Sequence, residues 1–176
     1  MKKRLYLWQL CGVIFSLVFG VLLHFLYEWS ENNYIVSIFS GVNESTWEHM
    51  KLLFFPMFIF AIIQSFFFKN YDNFWKIKLK GILLGLLLIP LLYYFYNGVI
   101  GDSPDWINII IFSISVIVSY LYEIRLFNMN KSKTDSSVSC FVTLAMIALL
   151  FAVFTFYPLS IEIFKDPTTG LYGINN

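Results

Sequence analysis

The chain has 176 residues, enough for one domain, and hydrophobic residues make up 59% of it while charged residues make up 13%. A soluble globular domain contains about 45–50% apolar and about 25% charged residues, and a water-soluble fold of this size has too little interior to bury the excess. The formal net charge is +1, and no basic cluster is large enough to indicate binding to nucleic-acid phosphates. The composition predicts a single transmembrane domain over residues 1–176, with the lipid bilayer as its main partner.

Five apolar stretches are long enough to cross about 30 Å of hydrocarbon, which takes about 20 helical residues. In chain order they cover approximately residues 5–27, 46–68, 77–97, 106–127 and 138–157. The basic residues at 2–4 are typical of a signal peptide, but the apolar run is too long and no small-residue cleavage site follows it. We therefore predict an all-α bundle of five transmembrane helices, the first of them uncleaved.

Positive charges indicate how these spans are oriented. With the N-terminus placed in the cytoplasm, ten lysine and arginine residues fall inside, Lys78 among them, and only Lys51 and Lys165 fall outside. Such an excess is typical of cytoplasmic loops. Acidic residues show the opposite distribution, with eight outside and three, including Glu123, inside. The sequence predicts a cytoplasmic N-terminus, an extracytoplasmic C-terminus and an acidic outer surface.

Small residues at four-residue steps predict the faces on which the spans pack. They are Gly12, Ser16 and Gly20 in the first span, Gly81 and Gly85 in the third, and Ser115 and Ser119 in the fourth. In lipid, such residues let helix backbones approach closely. Pro56 and Pro90 each remove a backbone donor and predict a bend in the second and third spans. Such a bend either improves packing or opens a substrate path, as in transporters.

The middle of the predicted spans contains no Asp, Glu, Lys, Arg or His. Proton relays and ion pathways use such groups at depth, so an ion-coupled pump is disfavoured. Chemistry is expected at the membrane surfaces instead.

The segment 42–51, at the outer start of the second span, has the densest pattern of polar residues. Glu44 and Glu48 are four residues apart, as are Ser45 and His49, so each pair is expected to share one face of a helix. Ser45 and Glu48 also have the spacing of a capping box, which explains these two residues in purely structural terms. Capping leaves Glu44 and His49 without such an explanation.

His24 lies about one turn inside the outer end of the first span, and His49 lies at a similar depth in the second. Sequential spans usually lie side by side, so the two histidines are expected to meet, with Glu28, Glu44 and Glu48 nearby. Two imidazoles and carboxylates suit a divalent cation such as zinc, and they equally suit acid–base chemistry on a lipid headgroup or peptide. An interhelical hydrogen bond is the structural alternative for His24. No spacing such as His-Glu-x-x-His supports a metal.

The candidate catalytic residues are therefore His24, Glu48 and His49. The candidate binding residues are Glu28, Asn43, Glu44, Trp47, Lys51 and Asp166. Lys51 is expected to pair with Glu48 or to cover Trp47. Asp166 belongs to a turn of the C-terminal tail and is expected to serve as a lid or ligand residue. A short apolar segment at 34–39 is expected to lie in the interface and roof the site.

Three segments, at residues 24–30, 42–51 and 164–173, carry a resemblance to a known family. The Asn-Glu-Ser-x-Trp-Glu-His-x-Lys pattern that begins at Asn43 is the most specific of them. On these residues the chain resembles a family of small polytopic membrane proteins of Gram-positive bacteria, and the similarity extends along most of the chain. That family has no assigned activity. The resemblance implies a multi-pass location in the bacterial cytoplasmic membrane, and it implies that the three outer segments belong to one pattern.

Three functions agree with this sequence. The first is a non-catalytic membrane component that works with a membrane-protein partner. The second is an interfacial enzyme that acts on a lipid or envelope precursor, with or without a metal, and the third is a carrier or binder of a small solute. A convergent His–Glu cluster favours the enzyme, and a cavity that reaches past Pro56 and Pro90 favours the carrier. Dispersed polar groups, each capped or solvated, favour the non-catalytic component.

Overall fold

The structure is a computed structural model that describes residues 2–69, 71–101, 103–129 and 137–174. Within those ranges the chain forms six α-helices and one 3-10 turn, and it contains no β-strand. The helices are α1 (Lys2–Trp29), α2 (Tyr34–Ser37), α3 (Thr46–Ser65), α4 (Phe74–Val99), α5 (Asp105–Met129) and α6 (Ser137–Phe156), and the 3-10 turn is Glu162–Phe164. All except α2 are long and apolar enough to cross a membrane. The five predicted spans are confirmed as helices, each end within three residues of its expected position.

The end of the bundle that carries His24 and His49 is called the histidine end. Its assignment to the outer side of a membrane rests on the distribution of charges and stays a prediction. Four of those charges, Asp102, Lys131, Lys133 and Asp135, lie outside the described residues.

Helix α3 forms the centre of the bundle and contacts α1, α4, α5 and α6. Its sequence is apolar on every side, as expected for a helix surrounded by other helices. Leu53 and Phe54 are completely buried, and Phe54 packs against Phe151 of α6 with ring centroids 5.1 Å apart. Both α3 and α4 continue through their internal prolines, Pro56 and Pro90. Helix α3 is therefore the element that all four of the other long helices contact.

The small residues of α1 form its contact face, as the sequence predicts. Gly12, Ser16 and Gly20 are buried. A β-carbon at Gly12 would lie 2.5 Å from the ring of Tyr120 in α5, and the ring of Phe112 fills the same space at Gly20. The Ser16 hydroxyl lies 3.0 Å from the Tyr120 hydroxyl, within hydrogen-bonding distance. This close approach fixes α1 against α5, so that the histidine one turn beyond Gly20 is level with the start of α3.

A buried ion pair joins α4 to α5 near the end opposite the histidines. Lys78 Nζ lies 2.6 Å from Glu123 Oε2, and the two side chains are 1% and 0% exposed. The ammonium also lies 5.2 Å from the centroid of the Tyr120 ring. Gly81 leaves room for the Glu123 carboxylate, since a β-carbon there would lie 2.5 Å from one of its oxygens. The distribution of charges predicts that both residues lie on the cytoplasmic side, and in the structure they pair with each other inside the bundle.

A candidate metal centre at the histidine end

The first turn of α3 sets the geometry of the site. Ser45 precedes the helix, and its hydroxyl oxygen accepts a hydrogen bond from the amide of Glu48 at 3.3 Å. The expected cap is therefore present, because this bond satisfies an amide that has no partner within the helix. The reciprocal half of the capping box is absent: the Ser45 amide donates to Asn43 Oδ1 at 2.9 Å, and Glu48 accepts from the amide of Val42 at 3.2 Å. These bonds hold the loop and the first helical turn in one arrangement.

The structure brings together three of the candidate residues, His24, Glu44 and His49. His24 Nε2 lies 3.5 Å from Glu44 Oε1, and His49 Nε2 lies 3.5 Å from Glu44 Oε2. The two imidazole rings are 5.9 Å apart between centroids. One donor atom from each of the three residues lies within 4.8 Å of the others. All three side chains are partly exposed, so the cluster is accessible from one side.

The ring of His49 is oriented by its own helix. His49 Nδ1 lies 3.0 Å from the carbonyl oxygen of Ser45. Because a carbonyl oxygen only accepts hydrogen bonds, Nδ1 carries the proton of the neutral ring, and Nε2, on the side of Glu44, holds a lone pair. Histidines that bind a metal usually donate their other ring N–H to a carbonyl or carboxylate in this way. This orientation of His49 is compatible with metal binding through Nε2.

The spacing of the three residues fits a zinc ion. Zinc binds histidine nitrogen at about 2.0–2.1 Å and carboxylate oxygen at about 2.0–2.2 Å, which puts neighbouring ligands of a tetrahedral site about 3.4 Å apart. Each imidazole nitrogen lies 3.5 Å from a different oxygen of Glu44, close to that value, and one donor atom from each of the three residues lies within 4.8 Å of the others. The 3.5 Å separations are longer than an ordinary N–H···O hydrogen bond of about 2.7–3.2 Å. Two histidines and one carboxylate are also the protein ligands of a class of catalytic zinc sites that keep a position for water.

Glu48 lies in a separate buried network and not with the histidines. Its Oε2 atom lies 2.5 Å from Lys51 Nζ, and the two side chains are 2% and 0% exposed. Lys51 Nζ also donates to the carbonyl oxygen of Ser37 in α2 and to the hydroxyl of Thr155 in α6, at 2.8 Å each. The expected pairing of Lys51 with Glu48 is confirmed, but the expected convergence of Glu48 with the histidines is not. The network ties α2 and α6 to the first turn of α3.

Three other candidate residues also lie outside the cluster. Glu28 is exposed to the surroundings of the bundle. The indole of Trp47 packs against Phe151 of α6, with ring centroids 4.6 Å apart. Asn43 Nδ2 donates to the carbonyl oxygen of Gly173 at 2.9 Å, which ties the loop before α3 to the C-terminal tail. These side chains shape the surroundings of the cluster and leave its three members as the candidate ligands.

Asp166 organises the turn in the C-terminal tail. Its carboxylate accepts hydrogen bonds from the amide and hydroxyl of Thr168, at 2.8 and 2.7 Å, and from the hydroxyl of Thr169 at 2.8 Å. Partial burial raises the pKa of Asp166, but these hydrogen bonds lower it by more, so the pKa lies below the ordinary value of 3.8. The turn brings Thr168, and not Asp166, to the cavity beside the histidines. Asp166 thus positions the tail.

A cavity of about 390 Å³ adjoins the cluster and is within the usual size range of ligand sites. Its apolar lining residues are Gly20, Val21, Phe25, Leu52, Ile109 and Phe112, and its polar ones are His24, Glu44, His49, Asn108 and Thr168. His24 and Asn108 lie one turn nearer the histidine end than Gly20 and Phe112 on the antiparallel helices α1 and α5. The polar groups therefore lie at the mouth, at the histidine end of the cavity, and Gly20 and Phe112 form its floor.

Sequence reasoning missed two polar residues of this cavity, Asn108 and Thr168. Asn108 lies within the fourth predicted span, where the Ser103 hydroxyl donates to its Oδ1 atom at 3.1 Å. No spacing in the sequence connects Asn108 to either histidine, since α5 is brought to the site only by helix packing. The one signal for Thr168 was that its segment shares a family pattern with the two histidine segments.

The described residues thus form an all-helical protein with five helices long and apolar enough to cross a membrane. A His–Glu–His cluster and a cavity lie at one end of the bundle. The chain belongs to the family of unknown function DUF6512, whose model matches residues 1–174. The expected membership of a family without an assigned activity is thereby confirmed, whereas the Gram-positive origin stays a prediction. No curated protein and no solved structure matches the chain. Any activity must therefore be inferred from the site itself.

Proposed function

We propose that this protein is a metal-dependent hydrolase of the bacterial cytoplasmic membrane, in which His24, Glu44 and His49 bind one zinc ion at the outer surface. The observation that carries the proposal is the convergence of two imidazole nitrogens on one carboxylate, at 3.5 Å each. The outward orientation rests on the excess of positive charge at the opposite side of the predicted topology. Zinc held by three protein ligands supplies a bound water whose pKa is lowered to about 7.

The residues around the cluster have separate roles in this proposal. Glu44 has two carboxylate oxygens, one to bind the metal and one to accept a proton from water. His49 is held in place by Ser45 and presents Nε2 to the metal. Because Ser103 donates to Asn108 Oδ1, the Nδ2 hydrogens of Asn108 are left to bind an oxygen of the substrate. Together these groups would orient a carbonyl compound against a water molecule.

The two other functions have less support from the structure. A non-catalytic component is expected to have dispersed polar groups, whereas three of the candidates converge. A solute carrier is expected to have a cavity that passes Pro56 and Pro90, and neither proline lines the cavity that adjoins the cluster. Among the lining residues of α3, Leu52 is the nearest in the chain to Pro56, one helical turn before it.

Zinc titration of the purified protein tests the metal centre. We expect one ion per chain, and we expect His24→Ala, His49→Ala and Glu44→Gln each to weaken binding by more than about 100-fold, because even outer-shell substitutions cost about 10–100-fold. Glu28→Gln is the control and should bind zinc normally, since Glu28 is a carboxylate one turn from His24 but outside the cluster. Undiminished zinc binding in the His24→Ala, His49→Ala double variant would remove the metal centre.

Hydrolysis of a soluble acyl ester, para-nitrophenyl acetate, tests water activation without requiring a membrane substrate. The zinc-loaded protein should release para-nitrophenol faster than zinc in buffer, and His49→Ala should abolish the difference. If the protein binds zinc with these residues but does not accelerate the reaction, the site is a metal-binding site and the enzyme proposal fails.

A further inference from the structure

Resting on the proposed function, we infer that the substrate is an acyl ester lipid with an uncharged or cationic headgroup. Its acyl chain enters the cavity from the side, between α1 and α5. Three features of the cavity point to such a substrate: its lateral opening, the order of its polar and apolar groups, and the charge of its lining.

The cavity opens through the surface that would face lipid. Val21 and Phe25 of α1 and Ile109 of α5 line it, and these side chains are 47%, 42% and 59% exposed. On an apolar helix of a membrane bundle, exposed aliphatic and aromatic side chains contact acyl chains. A lipid can therefore reach the cavity by lateral movement, without leaving the hydrocarbon layer.

Polar and apolar groups follow one another along the cavity in the order that an ester lipid requires. His24 and Asn108 lie at the mouth, and Gly20 and Phe112 lie one helical turn, about 5.4 Å, further in. A carbonyl at the mouth would place its acyl chain against the apolar floor. Gly20 keeps that floor compact, because a β-carbon there would meet the Phe112 ring and lie 3.1 Å from the carbonyl oxygen of Leu52.

The charge of the lining favours a carbonyl ester over a phosphate ester. Glu44 is the acidic residue among those that line the cavity, and none of these described residues is Lys or Arg. Sites that act on phosphate esters use Arg, Lys or additional metal ions to hold the anionic group. Lys165, three residues before Thr168 in the chain, is not among the lining residues and lies 3.4 Å from Glu162. An anionic headgroup would meet Glu44 without a compensating cation from the protein.

The reaction is ester hydrolysis. The oxygen of water forms a bond to the acyl carbonyl carbon, and the bond between that carbon and the alcohol oxygen breaks. Glu44 accepts a proton from the water and returns it to the leaving alkoxide. The products are a carboxylic acid and an alcohol, and water is the only other reactant.

A series of para-nitrophenyl esters, from acetate to dodecanoate in mixed micelles, tests the acyl-binding role of the cavity. Val21→Trp and Ile109→Trp fill its lateral opening, and Leu87→Trp is the control, because Leu87 is an exposed residue of α4 that does not line the cavity. The wild-type protein and Leu87→Trp should hydrolyse the longer esters about tenfold faster than the acetate. Val21→Trp and Ile109→Trp should lose that gain, measured within each zinc-bound variant as the ratio of the rate for the longer ester to the rate for the acetate.

The outcomes separate this inference from the proposed function. The rate of hydrolysis could increase with ester chain length by the same factor in the zinc-bound wild-type protein and in both zinc-bound cavity-filling variants. That result would reflect partitioning of the esters into micelles, and it would overturn the acyl-binding role. The metal-dependent hydrolase would remain. If the wild-type protein neither binds zinc nor hydrolyses the acetate, the proposed function fails first. Faster hydrolysis of bis(para-nitrophenyl) phosphate than of any acyl ester would overturn the assignment of the substrate class.

Discussion

Lys51 Nζ lies 2.5 Å from Glu48 Oε2, and this buried ion pair adjoins the candidate metal centre, since Glu48 directly precedes His49 in the chain. Glu48 holds the loop before α3 through the Val42 amide, and Lys51 holds α2 and α6. The charged residues at the start of α3 thus have two roles. Glu48 and Lys51 fix the backbone, and Glu44 and His49, both partly exposed, line the cavity.

Replacing Lys51 with Met should lower the free energy of unfolding by about 3–5 kcal/mol, because it leaves Glu48 as an uncompensated buried charge. The double variant Glu48→Leu, Lys51→Met should recover most of that loss, since apolar replacement of a whole buried pair is often nearly neutral. Unfolding in a mild detergent measures both. Lys165→Ala is the control, because it removes an exposed pair worth about 0–1 kcal/mol. Equal stability of Lys51→Met and Lys165→Ala would contradict the burial of the Lys51 pair.

Gly20→Ala should both destabilise the protein and weaken zinc binding. The added methyl group meets the Phe112 ring, and overpacking of this kind costs about 1–3 kcal/mol. Moving α1 away from α5 also shifts His24, one turn further along. Gly98→Ala is the matched control, because a β-carbon at Gly98 of α4 would meet nothing within 4 Å.

Unfolding measurements and zinc titration on the two glycine variants test this prediction together. Gly98→Ala should be as stable as the wild-type protein or more stable, since alanine favours a helix by up to about 1 kcal/mol over glycine. If Gly20→Ala behaves in the same way and keeps full zinc affinity, α1 is not held against α5 by this contact.

The sequence predicted the five long helices and the meeting of His24 with His49, because both follow from apolar length and from the pairing of consecutive spans. It did not predict that Glu44 lies with the histidines while Glu48 pairs with Lys51 in a separate buried network. The four-residue spacing of the two glutamates puts them on one face only if both are helical, but α3 begins at Thr46 and Ser45 has an extended backbone, with φ −68° and ψ 152°. The cap therefore breaks the helical relationship between the two carboxylates.

The contact between Lys78 and Glu123 was beyond sequence reasoning for a different reason. Their partnership depends on the register of α4 against α5, which is set by the close approach at Gly81 and Gly85. The small residues indicate that a contact exists but not which residue of the partner helix lies opposite. Asn108 reaches the cavity through the same kind of helix packing.

Lys78→Met should destabilise the protein by about 3–5 kcal/mol, again because a buried carboxylate, Glu123, loses its counter-ion. Zinc affinity should stay unchanged at a temperature where the variant is folded, because this pair is near the end of the bundle opposite the histidines. Unfolding and zinc titration on one preparation measure the two effects. A large loss of zinc affinity in the folded variant would show coupling between the two ends, contrary to the expectation.

The stability of the turn around Asp166 should decrease as the pH falls. A carboxyl group whose pKa is lower in the folded than in the unfolded state stabilises the folded state above its unfolded pKa, and this contribution is lost as the pH falls through the folded pKa. The Asp166 turn should therefore be fully formed at neutral pH and should open as the pH falls below 3.8. Hydrogen exchange of the Thr168 amide, which donates to Asp166, measures the opening.

Asp166→Asn separates the charge from the hydrogen bonds. The neutral amide oxygen still accepts a hydrogen bond but does not titrate, so protection of the Thr168 amide should be weaker at neutral pH and independent of pH. The Ile35 amide provides an internal control, because it donates at 2.8 Å to the neutral side chain of Asn33 in a turn of the same kind. Equal loss of protection at Ile35 and Thr168 on acidification would mean that the whole histidine end opens, and that Asp166 is not the titrating group.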